Sequence, residues 1–309
     1  MIHRLRNDER GQALVISIAF MVCLLGCVAL TLDVGSWFRE HRQAQATADA
    51  AALSGAQSLP DNPSTAFDDA TTYGAKNGGG IDPNGITFST KYMANDTISV
   101  TVHRPAPGFF SKVFGISGTT VHATAVARAG IPTNARWAAP IVVNKLHPML
   151  AGPGCPCYGP THETTLPLGK DGAPGAFALV NLDLSIQGAV GASTLGDWIQ
   201  RGFNAYLPLG DYVSDPGAKW NDSPIQAALT SRYHTEVLFP VYDTLTGQGS
   251  NAEYHIIGWV GFHLDSSVNG SGDSGSITGY FTRVLWDGIQ SSKNPNEPDF
   301  GVRTISLTG

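Results

Sequence analysis

Residues 13–32 read ALVISIAFMVCLLGCVALTL, twenty consecutive residues without a charged side chain. At about 1.5 Å of rise per residue, a helix of this length spans about 30 Å, the thickness of the hydrocarbon core of a membrane. The alternative is a cleaved secretory signal, whose apolar region normally runs about 7–15 residues. This run is longer and continues into residues 37–53, which contain no Pro or Gly and favour a helix. We therefore predict a retained transmembrane span.

The charges on either side of the span predict its orientation. Arg4, Arg6 and Arg10 precede it, and Arg39 and Arg42 follow it. Because short basic N-termini stay in the cytoplasm, we expect a single span with the N-terminus inside and the bulk of the chain outside. The whole chain carries 19 Lys and Arg against 25 Asp and Glu, a net charge of −6. Nucleic-acid-binding proteins need a concentrated basic surface, so no nucleic-acid partner is expected.

The composition indicates an α+β chain that is rich in turns outside the span. Charged residues make up 14%, and there are 36 Gly and 19 Pro, which excludes a coiled coil and a charged disordered chain. We expect three parts. Residues 1–58 form a cytoplasmic tip, the span and an extended helix; residues 59–130 form a small antiparallel α+β head; residues 131–309 form a larger β-rich domain outside the membrane.

The helix is expected to continue well beyond the span, over residues 12–58. Residues 43–57 (QAQATADAAALSGAQ) are rich in Ala, the strongest helix former. Their small residues recur along one face, which lets another helix or a sheet approach closely. Either the protein's own sheet covers this face, or a partner helix or a second copy of the chain does. On the second alternative, the partner-contacting residues are Asp33, Gln43, Ala44, Ala48, Asp49, Ala51, Ala52 and Gly55.

Asp33 has two interpretations of its own. As an acid at the outer end of an apolar helix, it either lies in the headgroup zone or pairs with a partner helix during assembly.

Short motifs around the span carry a family resemblance. They are residues 10–15 (RGQALV), residues 32–35 (LDVG), Gln43 and residues 48–56 (ADAAALSGA). Together they resemble the TadE/TadG-like family of Flp-pilus assembly proteins, which belong to the tight-adherence secretion system of bacteria. Residues 108–116 (GFFSKVFGI) and 121–127 (VHATAVA) extend a weaker resemblance to about residue 130. The resemblance implies a single-pass protein of the bacterial cell membrane that contacts other pilus-assembly proteins and has no catalytic activity.

One position separates the chain from the pilin subunits of that system. Prepilin-peptidase substrates carry Glu five residues after the cleaved Gly, and counting from Gly11 that place holds Ile16. The chain therefore resembles the unprocessed TadG-type member.

Periodicity predicts the elements of the head and of the β-rich domain. In the head, Ser64 is expected to cap a short helix, and Asn95-Asp96 to turn between two strands of a three-stranded sheet. In the larger domain, Thr194 and Ser223 are expected to open helices. Strands are expected at residues 139–144, 176–183, 235–242, 254–264, 276–285 and 302–307.

Two short motifs resemble parts of known functional sites but lack the other residues that those sites need. Residues 272–275 (GDSG) match the nucleophile loop of trypsin-like proteases, but the chain lacks a matching His motif, so we interpret them as a loop between strands. Asp265, Ser267 and Asn269 imitate half of a calcium loop, but its closing Glu is replaced by Ser276. His263, beside Asp265, is interpreted as strand surface. No cofactor, metal or enzyme activity is predicted.

Cys155 and Cys157 are the cysteine pair outside the span, since Cys23 and Cys27 fall within it. A C-x-C pair rarely closes on itself, because a disulfide favours Cα atoms about 5.5 Å apart. We expect unpaired or intermolecular thiols, with a redox-active or local disulfide and a metal site with His147 and His162 as alternatives.

These observations favour a structural or assembly component of a Flp-type pilus, or of a related cell-envelope machine for adhesion and secretion. The alternative is a membrane-anchored binding module, whose β-rich domain recognises a ligand or a cell surface.

Overall fold

The computed structural model describes residues 9–168, 179–186, 188–215, 220–247, 251–269, 275–290 and 298–308. The chain is α+β, as predicted, and divides into two compact units. Unit 1 contains Met1–Arg128 together with Leu307–Gly309, and unit 2 contains Ala129–Ser306. Residues 307–309, which the sequence placed in the β-rich domain, thus return to unit 1, where the Thr308 backbone N–H donates to the carbonyl of Val126 over 2.8 Å.

A single helix, α1, runs over Glu9–Ala56, within three residues of its predicted bounds. Its last turn tightens as the backbone N–H of Leu59 donates to the carbonyl of Ala56. The second helix, α2, covers Pro63–Lys76. Its cap is Asn62 rather than the predicted Ser64, because the Asn62 side chain accepts from the Thr65 backbone N–H over 3.2 Å. Pro63 at the first helical position needs no acceptor and fixes the entry into the helix.

Three antiparallel strands complete the head, as the alternating pattern predicts. They are β1 (Ile81–Ser89), β2 (Thr97–Pro107) and β3 (Gly118–Gly130), with β2 in the middle. The side chains of β2 that face α1 are apolar and buried, and β3 adds a row of buried Ala beside them. These buried residues are Ile98, Val100, Val102, Ala123, Ala125 and Ala127.

Small residues allow α1 to pack closely against α2 and β2. A Cβ atom on Gly55 would lie 2.6 Å from Ile98 Cδ1 and 2.8 Å from the carbonyl oxygen of Ala66. Carbon atoms pack at about 3.5–4.0 Å, so nothing larger than hydrogen fits there. The Ala-rich half of α1 is therefore the central element of the head.

Unit 2 is dominated by strands around one apolar core. Its elements are β4 Pro132–Ala135, β5 Val143–Asn144, α3 Pro148–Ala151, β6 Thr164–Leu168, α4 Ala192–Arg201, β7 Leu207–Pro208, β8 Gly210–Val213, α5 Ser223–Ser231, β9 Thr235–Thr246, β10 Glu253–Asn269, β11 Gly275–Thr282, β12 Val284–Leu285, β13 Gly288–Gln290 and β14 Val302–Leu307. The central sheet has the order β5-β9-β10-β11-β6, with β8 also paired to β10, and a three-stranded sheet has the order β13-β4-β7.

The predicted strand at residues 139–144 is shorter than expected. Only Val143–Asn144 forms a ladder strand, while Ile141 makes an isolated bridge with Leu179. Pro140 has no N–H to donate, which interrupts pairing at that point. The predicted strand at residues 176–183 falls partly outside the described residues.

Candidate functional site

The first half of α1 carries a bare apolar surface. Among the described residues, α1 is the one helix long and apolar enough to cross a membrane. A core helix can also be long and apolar, but no part of the most apolar stretch of α1 is covered by the rest of the protein. Leu14, Phe20 and Leu25, for example, are each more than 60% exposed. This surface is suited to a hydrocarbon environment.

At the end of that apolar stretch, Asp33 is turned into the protein. Its side chain is 2% exposed. Oδ1 accepts from the backbone N–H groups of Phe109 and Phe110 over 2.8 and 3.1 Å, and Oδ2 accepts from that of Ser111 over 2.6 Å. The carboxylate thereby caps the short 3₁₀ helix Ser111–Phe114, as an acidic N-cap does within one segment.

Asp33 therefore has a role that neither interpretation of the sequence included. Its carboxylate is engaged by three backbone donors of its own chain, rather than by a partner helix. Trp37 Nε1 adds a second attachment by donating to the carbonyl of Pro107 over 3.3 Å. Together the two side chains fasten the turn between β2 and β3 to α1, within five residues of the end of the apolar stretch.

Residues 108–116, which we call the aromatic loop, expose large apolar side chains. Val113 and Phe114 are each 83% exposed. A single exposed Leu or Phe is normal on a protein surface, whereas a group of exposed apolar side chains marks an interaction site. Phe109, Phe110 and Ile116 are exposed as well. A groove of about 580 Å³ separates the loop from α1, lined by Thr31, Leu32, Gly35, Ser36, Arg39, Phe109 and Phe110.

The small-residue face of α1 is covered by the head itself. Ala44, Ala48, Ala51 and Ala52 are 0% exposed, and Gly55 is buried against Ile98. The sequence left open whether this face is covered by the protein itself or by a partner. In the structure the protein's own head covers it. The prediction that these five residues contact a partner is therefore wrong.

Two other predicted contact residues remain accessible. Gln43 is exposed, and half-buried Asp49 accepts from Gln45 Nε2 over 2.8 Å. They lie beside a second face of α1, formed by residues 38, 42 and 46, which the head leaves uncovered. The sequence analysis missed this face, although its residues recur every four positions. On that face Phe38, Arg42 and Ala46 are exposed, and the Arg42 guanidinium lies 4.9 Å from the centre of the Phe38 ring.

Cys155 and Cys157 are joined to each other in a disulfide, contrary to the expectation of free thiols. Their Cα atoms are 4.5 Å apart, which a two-residue separation reaches. The metal alternative is wrong as well, since the disulfide leaves no thiolate to bind an ion. His147 Nδ1 instead accepts from the backbone N–H of Met149 over 3.2 Å and caps α3. Burial lowers the pKa of His147 and favours the neutral ring that this bond requires.

The two imitated motifs have different outcomes. Residues 272–274 of the protease-like GDSG motif lie outside the described residues. Asp265, Ser267 and Asn269 lie in β10 and pair with β11 through most of that segment. Side chains along an extended strand cannot wrap around one ion as a calcium loop does, so that interpretation is excluded.

Comparison with known proteins places a family match on α1. Residues 11–58 match the family described as Tad, putative Flp pilus-assembly TadE/G-like. The matched segment contains the apolar stretch, Asp33 and the buried small-residue face, whereas the aromatic loop lies beyond it. No curated protein and no solved structure matched the chain.

Proposed function

We propose that the chain is a single-pass membrane component of a Flp-type, tight-adherence pilus-assembly machine. The observation that carries the proposal is the family match over residues 11–58, the segment that forms α1. Half of that helix is bare and apolar, and half forms the centre of the head. This division is what a protein needs if it is to hold a folded head at a membrane surface.

The orientation that we propose has the N-terminus in the cytoplasm and the head outside the cell membrane. It rests on Arg4, Arg6 and Arg10 before the apolar stretch and on the positive-inside rule. The role is structural, and the proposal assigns the chain no catalytic step.

Contacts with other pilus-assembly proteins are assigned to the parts of α1 that the head leaves free. These are the apolar stretch at residues 13–32 and the free face of Phe38, Arg42 and Ala46. The assignment replaces the small-residue face, whose Ala side chains are used inside the head. Aromatic and Arg side chains are the types that most often dominate the binding energy of an interface, which supports Phe38 and Arg42 as contacts.

The proposal is tested by complementing a strain that lacks the gene. We expect pili to disappear on deletion and to return with the full chain. The double variant Phe38→Ala/Arg42→Glu should restore fewer pili and co-purify with less of the assembly machinery from solubilised membranes. Thr72→Ala, on the exposed surface of α2, is the matched control and should behave as the full chain does.

Normal pili in the deletion strain would overturn the assembly role. If pili were normal in number but adherence to surfaces were lost, the alternative of a membrane-anchored binding module would replace it.

A further inference from the structure

Two histidines and an aspartate converge on one face of unit 2. They are His234, which directly precedes β9, and His263 and Asp265 in β10; one ligand atom from each lies within 4.8 Å of the other two. The antiparallel pairing of β9 with β10 places Glu236 opposite His263, and so brings together residues about thirty positions apart. This corrects the interpretation of His263 as simple strand surface.

The separations within this cluster are too long for hydrogen bonds and suit a bound ion. Asp265 Oδ1 lies 3.6 Å from His234 Nδ1 and 3.7 Å from His263 Nε2, beyond the ordinary limit of about 3.2 Å for such a bond. In a tetrahedral site with bonds of about 2.0–2.1 Å, ligand atoms lie about 3.3 Å from one another. The two separations that involve Asp265 are within about 0.4 Å of that spacing, and the two imidazole nitrogens lie within 4.8 Å of each other.

An ordinary surface pair in the same unit provides a contrast. His255 Nδ1 lies 2.7 Å from Asp211 Oδ1, so that the two groups are hydrogen-bonded directly. No space for an ion is left between them. The His255–Asp211 pair of the same unit therefore lacks the gap that surrounds Asp265.

Glu236 orients the imidazole that faces the cluster. Its Oε1 lies 3.1 Å from His263 Nδ1, and a carboxylate can only accept, so that in a metal-binding neutral ring Nδ1 would carry the proton and Nε2, on the Asp265 side, would be the ligand atom. A carboxylate behind a ligating His is the usual second layer of a metal site. Tyr280 stacks on the same ring with centroids 4.7 Å apart, which further restricts its rotation.

His234 is held in place by its backbone. Its N–H donates to the carbonyl of Leu264 over 2.7 Å, and its φ of +61° lies in the left-handed region. Few residue types adopt that conformation, although His, Asn and Asp do so more readily than most. The backbone therefore fixes the Cα position from which the second imidazole reaches the cluster.

We propose that His234 Nδ1, His263 Nε2 and the Asp265 carboxylate bind one divalent transition-metal ion of the zinc class. Imidazole and carboxylate are ligands that suit Zn²⁺, and three protein ligands leave a further position for solvent. The site is half-exposed, so an ion can enter directly. Bound metal would tie the start of β9 to the middle of β10.

The test is titration of Zn²⁺ into the purified, tag-free full chain in detergent, without reductant so that the disulfide stays closed. We expect one Zn²⁺ per chain by calorimetry and a rise in Tm with metal. His234→Asn, which tolerates positive φ, and Asp265→Asn should each weaken binding at least about tenfold, and Glu236→Gln about 10–100-fold. His255→Ala is the matched control and should bind as the wild type does.

Absence of binding by the wild-type chain overturns the proposal. So does binding that survives both His234→Asn and Asp265→Asn, or that is lost in His255→Ala. Circular dichroism of each variant without metal separates loss of the site from loss of the fold.

A second inference follows from the aromatic loop and rests on the proposed membrane anchoring. The exposed side chains of the loop continue the apolar surface of α1, because Asp33 fastens the loop to the helix one residue beyond the twenty-residue apolar stretch. Trp37, the residue type enriched at membrane interfaces, lies at the same level and bonds to Pro107. No acidic residue occurs between Asp96 and Glu163, and Lys112, within the loop, is basic and exposed.

We infer that the aromatic loop inserts into the lipid headgroup and upper acyl region of the outer leaflet. Exposed apolar side chains beside basic ones bind such a boundary by apolar burial and by attraction to anionic lipids. The groove between the loop and α1 would then be filled by lipid. The head is thereby seated on the membrane at two places, the helix and the loop.

Spin labels on single cysteines test this inference in nanodiscs of phosphatidylcholine and phosphatidylglycerol. Native Cys27, kept in Cys23→Ala, reports on the span, and Phe114→Cys in Cys23→Ala/Cys27→Ala reports on the loop. Thr72→Cys in the same background is the control. It lies on α2, which packs along Thr47 and Gly55, about 20 Å or more beyond Asp33 at about 1.5 Å per residue.

The label at Phe114→Cys should collide with oxygen more than with a water-soluble nickel chelate, as the label at Cys27 does, and the Thr72→Cys label should do the reverse. If the loop label behaves like the control while the Cys27 label stays in lipid, the loop inference fails and the anchoring stands. If the Cys27 label is also in water, both fail. Spectral broadening between loop labels would place a second copy of the chain on the loop and overturn the lipid assignment.

Discussion

The carboxylate of Asp33 lies 2.8 Å from the backbone nitrogen of Phe109, 76 positions further along the chain. A side chain in the middle of α1 thus caps the short 3₁₀ helix Ser111–Phe114, which lies between β2 and β3. The bond joins the end of the apolar stretch to the aromatic loop, so that the two features behave as one surface.

Removing that carboxylate should loosen the aromatic loop. In Asp33→Ala, the N–H groups of Phe109, Phe110 and Ser111 lose their acceptor. We expect faster trypsin cleavage after Lys112 in detergent, measured by mass spectrometry of the fragments. Asp68→Ala, at an exposed position on α2, is the matched control and should be cleaved at the wild-type rate. Equal rates in all three proteins would contradict the role of Asp33 as a clamp.

Adding one methyl group at Gly55 should destabilise the head. The new Cβ of Gly55→Ala would lie 2.6 Å from Ile98 Cδ1, and overpacking of this kind costs about 1–3 kcal/mol. Gly35→Ala is the control, because nothing lies within 4 Å of its Cβ position and Ala is the better helix former. Chemical unfolding in detergent should show a loss for Gly55→Ala and no loss for Gly35→Ala.

Acid should weaken the turn before β2 through Asp96. Burial raises the pKa of this carboxyl, but hydrogen bonds from the backbone of Lys91, Met93 and Tyr92 and the hydroxyl of Thr97 lower it further, to below its ordinary 3.8. A group whose pKa is lowered on folding stabilises the fold above its unfolded pKa, and this contribution is lost as the pH falls through the folded value.

The free energy of unfolding of the wild type should therefore fall more steeply below about pH 4 than that of Asp96→Asn, and the variant should be less stable at pH 7. Urea unfolding between pH 3 and 7 measures both. Parallel pH profiles for the two proteins would show that Asp96 does not carry this dependence.

The disulfide between Cys155 and Cys157 predicts a thiol count. Without reductant, the protein unfolded in denaturing detergent should titrate two thiols, those of Cys23 and Cys27, and with reductant it should titrate four. Four thiols without reductant, or a dimer on a non-reducing gel that Cys157→Ser abolishes, would restore the free or intermolecular thiols that the sequence favoured.

Sequence patterns predicted the elements that depend on neighbouring residues. The bounds of α1 and the strand at Val302–Leu307 follow from local periodicity and composition. The helix α5 begins at Ser223, one residue before its predicted start, with Asp222 rather than Ser223 as its N-cap. Helix propensity and a charge-free run of twenty residues are properties of one segment, so that no knowledge of the rest of the chain was needed.

Relationships across long separations could not be predicted in the same way. The small-residue face of α1 fits a partner helix as well as it fits Ile98 of the same chain, and the sequence cannot distinguish the two. Asp33 was interpreted as a headgroup residue or a partner contact because the backbone N–H groups that donate to it are more than 70 positions away. His234 and His263 lacked a partner until strand pairing set them side by side, since the register of β9 and β10 is a property of the sheet.

The return of residues 307–309 to unit 1 makes unit 2 an insertion between two parts of the same host. In such an arrangement unit 2 can change in size and surface while unit 1 keeps both of its segments and the hydrogen bond between Thr308 and Val126 that joins them. A chain in which residues 129–306 are replaced by a short Gly/Ser linker should therefore retain a folded unit 1. By the same logic, the fold of unit 1 does not depend on the sequence of unit 2 between its two segments.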